Sequence, residues 1–469
     1  MKNYINFETI QKIFFGAVLT VALAAAVLFS EFWIAFAAAV YFILFFRFSR
    51  GLRELTNMHA VVLSLIVLHA IPASVMIIQG KIGLSSLEII RLYSSIAIGL
   101  AGYGAGALLF EKLFSSKETK MSGLARKLNE YFWLAYKYRM LLALVSGLLI
   151  AFFGFMPLSM SYTESVAYRM DTTGVVQYFT SLLSLVFSVL GVAMISIVGD
   201  IEKRGKLSWL SYLLIILVVL SIIAGHRIWI VGLIGCLLIV FQPRLKRRHM
   251  LAMAVIGIIL FFMFSGAVRY ARSGATFRQS VANFQSYMIN FKDMNFRDMV
   301  WGFSDLTVPF STFITIVQNV PDKIGYDLAV PVNDLSLLVP TIFYPDRPLS
   351  YAQWYVKTFE PEVYAMGGGR TFYIIAIGYL FAGPIGAFFC MLMFGALLEC
   401  INRFFKSTQG VAGIFLYSYF FTALIGLVRG SGFFGFIKTG IMLYFLIPLV
   451  LLFGFVLVFN AIIPKKYLR

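Results

Sequence analysis

Two arginines lie at the ends of long apolar runs, with no hydrophilic loop around them. Arg227 stands in "IIAGHRIWIVG" (222–232), and Arg429 stands in "ALIGLVRGSGFFGF" (423–436). An arginine in this position either snorkels to lipid headgroups or binds an anion near membrane depth. Guanidinium groups form forked, charge-assisted hydrogen bonds with phosphate oxygens. A lipid diphosphate is therefore the natural anionic ligand of such a pair.

Three further cations fall in one segment between apolar runs, and aromatic residues accompany them. Arg347 stands in "YPDRP" (344–348), Lys357 follows, and Arg370 comes after three glycines. Each could bind substrate phosphate, although Asp346 is an alternative partner for Arg347, and the glycines before Arg370 also suit a plain hinge. Trp354 and Tyr344 could stack on sugar rings, or they could belong to an interfacial aromatic belt or to the core of the segment.

Several residues on the same side of the membrane as these cations could act as the base that takes a proton from a hydroxyl group. The candidate side chains are His226, Asp305, Asp334, Glu360 and Glu362. A carboxylate near an acceptor hydroxyl contributes general-base catalysis, and a solvated loop carboxylate has no such role. The chain has no Asp-x-Asp pair, no glycine-rich nucleotide loop and no cysteine spacing typical of metal ligands. We therefore predict no cofactor and no metal site.

The elements that carry these residues are predicted to be membrane helices. The 469 residues are 60% hydrophobic and only 13% charged, whereas a soluble domain carries about 25% charged residues. Apolar runs long enough to cross a hydrocarbon core recur along the chain. We place about twelve spans, near 13–29, 31–47, 58–77, 87–110, 140–157, 179–199, 209–225, 228–242, 251–271, 374–402, 411–428 and 439–463.

Basic residues predict the orientation of these spans. Lys and Arg cluster in alternate short connections, which the positive-inside rule assigns to the cytoplasm together with both termini. The net charge of +18 is thus a topology signal and does not indicate nucleic-acid binding. We expect three regions: spans 1–9 in residues 1–271, a large external loop of short helices in 272–373, and spans 10–12 in 374–469. The apolar stretch "MVWGFSDLTVPFSTFITIV" (299–317) in that loop is expected to fold or to lie on the membrane surface.

Four segments resemble the Wzy family of oligosaccharide repeat-unit polymerases, which includes the O-antigen and enterobacterial common antigen polymerases. They are "AGHRIW" (224–229), "LLVPTIFYPDRP" (337–348), "GGGRTFYIIAIGYLFAGPIG" (367–386) and "LVRGS" (427–431). The span count and the single large external loop are also similar. The family motif has Ser or Thr where His226 stands, so no role for that side chain is carried over.

The resemblance implies a GT-C-like, all-α membrane fold and an enzyme of the bacterial cytoplasmic membrane. It implies inverting, metal-independent transfer of a glycan from undecaprenyl diphosphate onto a second lipid-linked repeat unit at the outer face, in surface polysaccharide synthesis. Arg227 and Arg429 would bind the departing diphosphate. A chain-length regulator is left open as a partner. The alternatives are an O-antigen ligase and a lipid-oligosaccharide flippase or other transporter.

Overall fold

A computed structural model describes residues 32–49, 57–114, 122–149, 189–220, 227–241, 277–290, 304–339, 343–365, 368–408, 410–428 and 432–462, and these form helices without strands. In chain order the helices are α1 (Phe32–Ser49), α2 (Met58–Ile78), α3 (Ser86–Phe114), α4 (Ser122–Lys137), α5 (Arg139–Leu149), α6 (Val189–Arg204), α7 (Trp209–Leu220), α8 (Arg227–Phe241), α9 (Phe277–Asn290), α10 (Ser304–Asn319), α11 (Val330–Ser336), α12 (Tyr351–Phe359), α13 (Pro361–Ala365), α14 (Ile374–Ser407), α15 (Val411–Val428), α16 (Phe433–Phe436), a π-helix (Ile437–Leu446) and α17 (Ile447–Ile462).

Three of these helices are long and apolar enough to cross a membrane. They are Met58–Ile78, Ser86–Leu113 and Ile374–Ser407, judged by length and composition among the described residues, and the last of them has a kink at Ala382 and Gly383, where the backbone is not helical. Shorter apolar helices of 10–17 residues include Trp209–Val218, Gly232–Phe241 and Val411–Leu424. The chain is therefore all-α with apolar helices of membrane-spanning type. The predicted spans 13–29 and 251–271 lie outside the described residues.

The chain forms two compact units whose segments alternate along the sequence. The first unit contains the described residues of Met1–Glu118, Leu306–Asn402 and Leu427–Phe436, and the second contains those of Thr119–Asp305, Arg403–Gly426 and Ile437–Arg469. We call the described residues between Leu306 and Tyr373 the cap. The cap belongs to the first unit and leads directly into α14.

Close helix packing in the first unit depends on glycine. A Cβ on Gly102 or Gly106 of α3 would meet the carbonyl oxygens of Phe388 and Leu392 on α14. Small residues spaced four apart let two apolar helices bring their backbones together where lipid supplies no hydrophobic driving force. The α3–α14 pair is the scaffold on which the cap rests.

The cap has an aromatic core. Phe310 and Phe313 of α10 contact the ring of Tyr373, with ring centroids 5.4 and 5.6 Å away, and all three side chains are fully buried. The Tyr373 hydroxyl donates to the Ile66 carbonyl of α2 at 3.0 Å. The stretch 299–317 was expected either to fold or to lie on the membrane surface. Its described part folds inward and anchors the cap to a membrane-type helix.

A buried polar cluster joins three helices of the first unit. His59 lies between the Tyr103 hydroxyl, 2.8 Å from Nδ1, and the Glu399 carboxylate, 2.9 Å from Nε2. Asn402 donates to the same Glu399 oxygen at 2.9 Å, and the Phe48 ring stacks on the imidazole at 4.5 Å. Buried ionisable groups are tolerated when they are paired in this way.

Removing the carboxylate from this cluster is expected to destabilise the first unit. Glu399→Ala leaves polar groups of His59 and Asn402 buried without their acceptor, which costs about 2–5 kcal/mol of unfolding free energy. Glu399→Gln keeps an acceptor oxygen and should cost less. The measurement is unfolding by denaturing detergent, and Glu111→Gln, which alters an exposed 3.4 Å pair with Arg47, is the matched control. Equal stability of Glu399→Ala and the control would contradict the expectation.

A single carboxylate organises one end of the second unit. Asp200 accepts hydrogen bonds from the Tyr136 hydroxyl at 2.7 Å, the Ser211 hydroxyl at 2.7 Å and the Ser208 backbone N–H at 2.8 Å. Arg139 approaches it at 3.5 Å. These contacts tie α4, α5 and α7 to the end of α6, so the buried Asp200 serves the packing of this unit.

Candidate functional site

Helix α11 in the cap has two different faces. Val330, Asp334 and Leu337 follow helical spacing and are buried, whereas Val332 and Leu335 are exposed. The helix thus directs one carboxylate into the protein interior. Asp334 is only 4% exposed, which is unusual for an unpaired acidic residue.

The Asp334 carboxylate lies at the start of α16. Its Oδ2 atom accepts a hydrogen bond from the Phe434 backbone N–H at 3.0 Å. Gly432 has a φ of +79°, and a Cβ at this position would meet Asp334 Oδ1 and the ring of Tyr351. Only glycine allows the backbone to pass so close to the carboxylate. The segment that follows Arg429 in the sequence therefore runs directly against Asp334.

The second carboxylate oxygen, Oδ1, is buried and has no hydrogen-bond partner among the described residues. Burial raises the pKa of Asp334 from 3.8 to about 6, and the backbone N–H groups of Phe434, Gly435 and Phe433 lower it by a smaller amount. A carboxylate with a pKa near neutrality and one free oxygen is suited to accept a proton. Of the base candidates whose side chains are described, Asp334 is the buried one, whereas Glu360 is bound by Arg370 and Glu362 is exposed.

Two side chains hold α11 in place. The Tyr351 hydroxyl donates to the Val330 carbonyl at 3.1 Å, at the start of the helix. Arg347 Nη1 donates to the carbonyls of Leu337 and Val339, at 3.4 and 3.0 Å, just beyond its end. Carbonyls at a helix C-terminus have no partner within the helix, so a cation there satisfies them and favours the helix dipole. In this structure Arg347 positions the helix of Asp334.

Other predicted substrate-binding residues have partners within the cap. Arg370 forms a two-nitrogen contact with Glu360 Oε2, at 2.9 Å from Nε and 2.7 Å from Nη2. Lys357 is exposed and lies 5.9 Å from the centre of the Tyr364 ring. Binding of a phosphate by Arg370 would therefore require exchange of its Glu360 contact.

The aromatic candidates differ in their surroundings. Trp354 is half-buried and packs edge-on against Phe359 and Phe372, with centroids 6.0 and 6.3 Å away, so it belongs to the cap core. Tyr344 is 42% exposed and is free to meet a ligand or lipid.

The remaining predicted residues are less completely described. Helix α8 begins at Arg227, one residue before the predicted start of that span. The Arg227 side chain is outside the described part of the structure. Asp305 is the second residue of α10, and its side chain is likewise not described. His226 and Arg429 lie outside the described residues. Arg429 precedes Gly432 by three residues, so covalent geometry keeps the two Cα atoms within about 11 Å.

An ion pair that was not predicted from the sequence joins the cap to α3. Arg91 on α3 binds Asp322 of the cap through two contacts, Nη1–Oδ2 at 2.6 Å and Nη2–Oδ1 at 3.2 Å. The hydrogen bond from Arg91 lowers the pKa of Asp322. The signal that could have indicated it is an arginine at the fifth position of the predicted span 87–110. The described residues contain no group of three or more His, Cys, Asp or Glu side chains that could hold a metal ion.

A comparison with protein families matches most of the chain. A family model described as a domain of unknown function, DUF8712, covers residues 132–465. The chain belongs to the DUF8712 family. No curated protein and no solved structure matches the chain. The match to DUF8712 includes the last turns of α4 and all of α5 to α17, and so it includes Asp334, Gly432 and both predicted diphosphate ligands, Arg227 and Arg429.

Proposed function

We propose that this DUF8712 protein polymerises undecaprenyl-diphosphate-linked oligosaccharide repeat units at the outer face of the bacterial cytoplasmic membrane. The observation that supports the proposal is the buried Asp334 carboxylate, with one free oxygen and a pKa near 6, against the glycine three residues after Arg429. A proton acceptor and a permanent cation are the two groups that this transfer requires.

In the proposed reaction, the backbone at Gly432 moves away from Asp334 Oδ1, which it covers in this structure, and Oδ1 then accepts the proton of the acceptor hydroxyl on the incoming repeat unit. The hydroxyl oxygen forms a bond to the anomeric carbon of the donor glycan, and the bond from that carbon to the phosphate oxygen breaks. The configuration at this carbon inverts, because there is a single displacement. Undecaprenyl diphosphate leaves with the electron pair, and its growing charge is stabilised by the guanidinium group of Arg429. Arg227, the other predicted diphosphate ligand, is assigned from the sequence alone.

The energetic cost of Asp334 supports a chemical role rather than a structural one. Folding raises the pKa of this carboxyl from 3.8 to about 6, so the folded protein favours its neutral, protonated form. Its ionised form therefore lowers the stability of the fold by about 3 kcal/mol above pH 6. An asparagine would accept the same Phe434 hydrogen bond without that cost. A carboxylate that lowers stability is typical of a site that needs its charge.

A transporter is the second candidate function, and the buried His59–Glu399 pair favours it. Ionisable residues buried between apolar helices often mark proton or ion pathways in transporters. The ligase alternative uses the same leaving group as the polymerase and differs in its acceptor. The three functions differ in their products, so one assay separates them.

The test is product analysis with purified protein and lipid-linked repeat units in excess EDTA. We expect a ladder of chain lengths at nearly the rate seen without EDTA, because arginines neutralise the diphosphate and no divalent ion is needed. A single addition to a lipid A core acceptor would indicate a ligase, and unchanged substrate would indicate a transporter. Activity that is lost in EDTA and restored by magnesium would overturn the role of the arginines.

A further inference from the structure

The cap exposes a group of large apolar side chains within a short stretch of sequence. Among the described residues between 324 and 344, the exposed large apolar ones are Ile324, Tyr326, Leu328, Val332, Leu335, Val339, Phe343 and Tyr344. Leu328, Val332 and Phe343 are 73%, 68% and 78% exposed. Apolar side chains exposed in such number mark contact with a partner or a membrane. We call this set the apolar cap surface.

The position of this surface relative to a hydrocarbon core follows from its contacts with α14 and from counting residues along that helix. The Asp327 backbone N–H donates to the Leu380 carbonyl at 2.9 Å, and a Cβ on Gly383 would meet the Tyr326 hydroxyl. Twenty residues of helix span about 30 Å, the thickness of a hydrocarbon core. If that core begins at the basic residue Arg403, it ends near Gly383. Tyr326 and Asp327 therefore lie at its far boundary.

The exposure pattern of α14 supports this boundary. Ile374 to Ile377, Tyr379 and Leu380 are buried, whereas Ile385, Phe389 and Met393 form an exposed apolar stripe. Their spacing of four places them on one face of the helix, as for side chains that contact acyl chains. The exposed stripe begins two residues after Gly383, just past the kink at Ala382 and Gly383, so the change in exposure falls at the boundary obtained by counting residues.

Helix α3 gives an independent measure. Counting 21 residues back from the basic Lys112 reaches Arg91, about 31 Å away. Arg91 holds Asp322, two residues before Ile324, through its two contacts at 2.6 and 3.2 Å. An arginine at a hydrocarbon boundary with its charge directed to the interface is a common arrangement. Both helices therefore bring the start of the apolar cap surface to the same level.

We propose that the apolar cap surface is inserted into the outer leaflet, with Leu328, Val332 and Phe343 in contact with lipid acyl chains. Tyr326 and Tyr344 have the amphipathic rings that are enriched at membrane interfaces, and the stem of Lys323 can carry its charge to a lipid phosphate. The occupant is a lipid surface because the apolar side chains continue the boundary of α3 and α14. The inference requires that these helices cross the membrane, and it does not depend on the proposed reaction.

Insertion of the apolar cap surface would fix the depth of the Asp334 site relative to the membrane. Val332 and Leu335 are exposed on the opposite face of α11 from the buried Asp334. The lipid-facing side of this helix would hold its other side at the level of lipid headgroups. A diphosphate attached to a lipid carrier lies at that level.

Spin labels with lipid-soluble and water-soluble relaxants test the proposal. Cys236, Cys390 and Cys400 are replaced by alanine, and single cysteines are placed at 328, 332 and 343 in protein reconstituted in liposomes. We expect the ratio of oxygen to nickel-chelate accessibility to be several-fold higher at these sites than at 358 and 362. Thr358 and Glu362 are exposed elsewhere in the cap and serve as matched controls.

Two outcomes would overturn the proposal. Nickel accessibility equal to that of the controls would mean that the surface faces water. Low accessibility to both relaxants would mean that protein covers it, whether from a partner or a second copy. If the cysteine-free chain does not fold, photoreactive benzoylphenylalanine at 328 and 343 in the otherwise native chain gives the same decision. Lipid adducts at these sites and none at 362 are expected, and protein adducts would contradict the proposal.

Discussion

Asp334→Asn is expected to lower polymer formation by about 10²–10⁴-fold while leaving the protein folded. Asparagine still accepts the Phe434 N–H hydrogen bond, now at 3.0 Å from the carboxylate, but it cannot take a proton from the acceptor hydroxyl. The measurement is the initial rate of chain extension with purified lipid-linked repeat units. Asp346→Asn, which changes an exposed carboxylate of the same cap, is the control and should keep the wild-type rate.

The pH dependence separates a base from a helix cap. The base must be ionised, so the wild-type rate at low substrate should rise with pH through an apparent pKa of about 6 and level off above it. The free energy of unfolding changes with pH in the opposite direction to the rate, because the folded protein binds this proton more tightly than the unfolded chain does. It should fall as pH rises from about 4 to 6, and Asp334→Asn should remove that decline. A nearly normal rate of polymer formation by Asp334→Asn would mean that this residue only accepts a structural hydrogen bond and is not the base.

Arg429→Ala is the second change with a large expected effect, a loss of about 10²–10³-fold in polymer formation. Arg429→Lys should restore little activity, because lysine keeps the charge but lacks the planar fork that binds two phosphate oxygens. The same pair of substitutions at Arg227 tests the other predicted ligand. Arg126→Ala is the control, since that side chain is 83% exposed on α4.

These arginine variants are compared at equal amounts of protein in the membrane. Chains of wild-type length from Arg429→Ala would assign Arg429 to snorkelling at the lipid headgroups. Full rescue by lysine would argue for a point charge without forked contacts.

Hydropathy predicted the local elements well, because a membrane-type helix is defined by its own residues. Helix α14 begins at Ile374, the first residue of the predicted tenth span, and α8 begins one residue before its predicted start. The structure extends α14 to Ser407, five residues beyond the predicted end, since the basic residues there still favour a helix C-terminus. The twelve-span arrangement and the orientation stay predictions.

Long-range contacts explain why the site could be predicted only as a set of candidates. Asp334 could not be separated from the other carboxylates, because its burial depends on Gly432 and on Phe434, which is 100 residues away. Arg91 meets Asp322 across 231 residues. Arg370 and Glu360 were both identified as candidates, but the sequence did not indicate that they bind each other. Neither hydropathy nor motif spacing contains information about such pairings.

The alternation of segments in the first unit has a consequence for how the protein is made. His59 and Glu399 are 340 residues apart in the chain. At translation rates of about 5–20 residues per second, roughly 17–70 seconds separate the synthesis of the two partners. During that interval α2 leaves the ribosome with an imidazole that has no carboxylate to bind. The Tyr103 hydroxyl, 44 residues after His59, is the partner that the imidazole can meet first, and pairing with Glu399 waits until α14 has been synthesised.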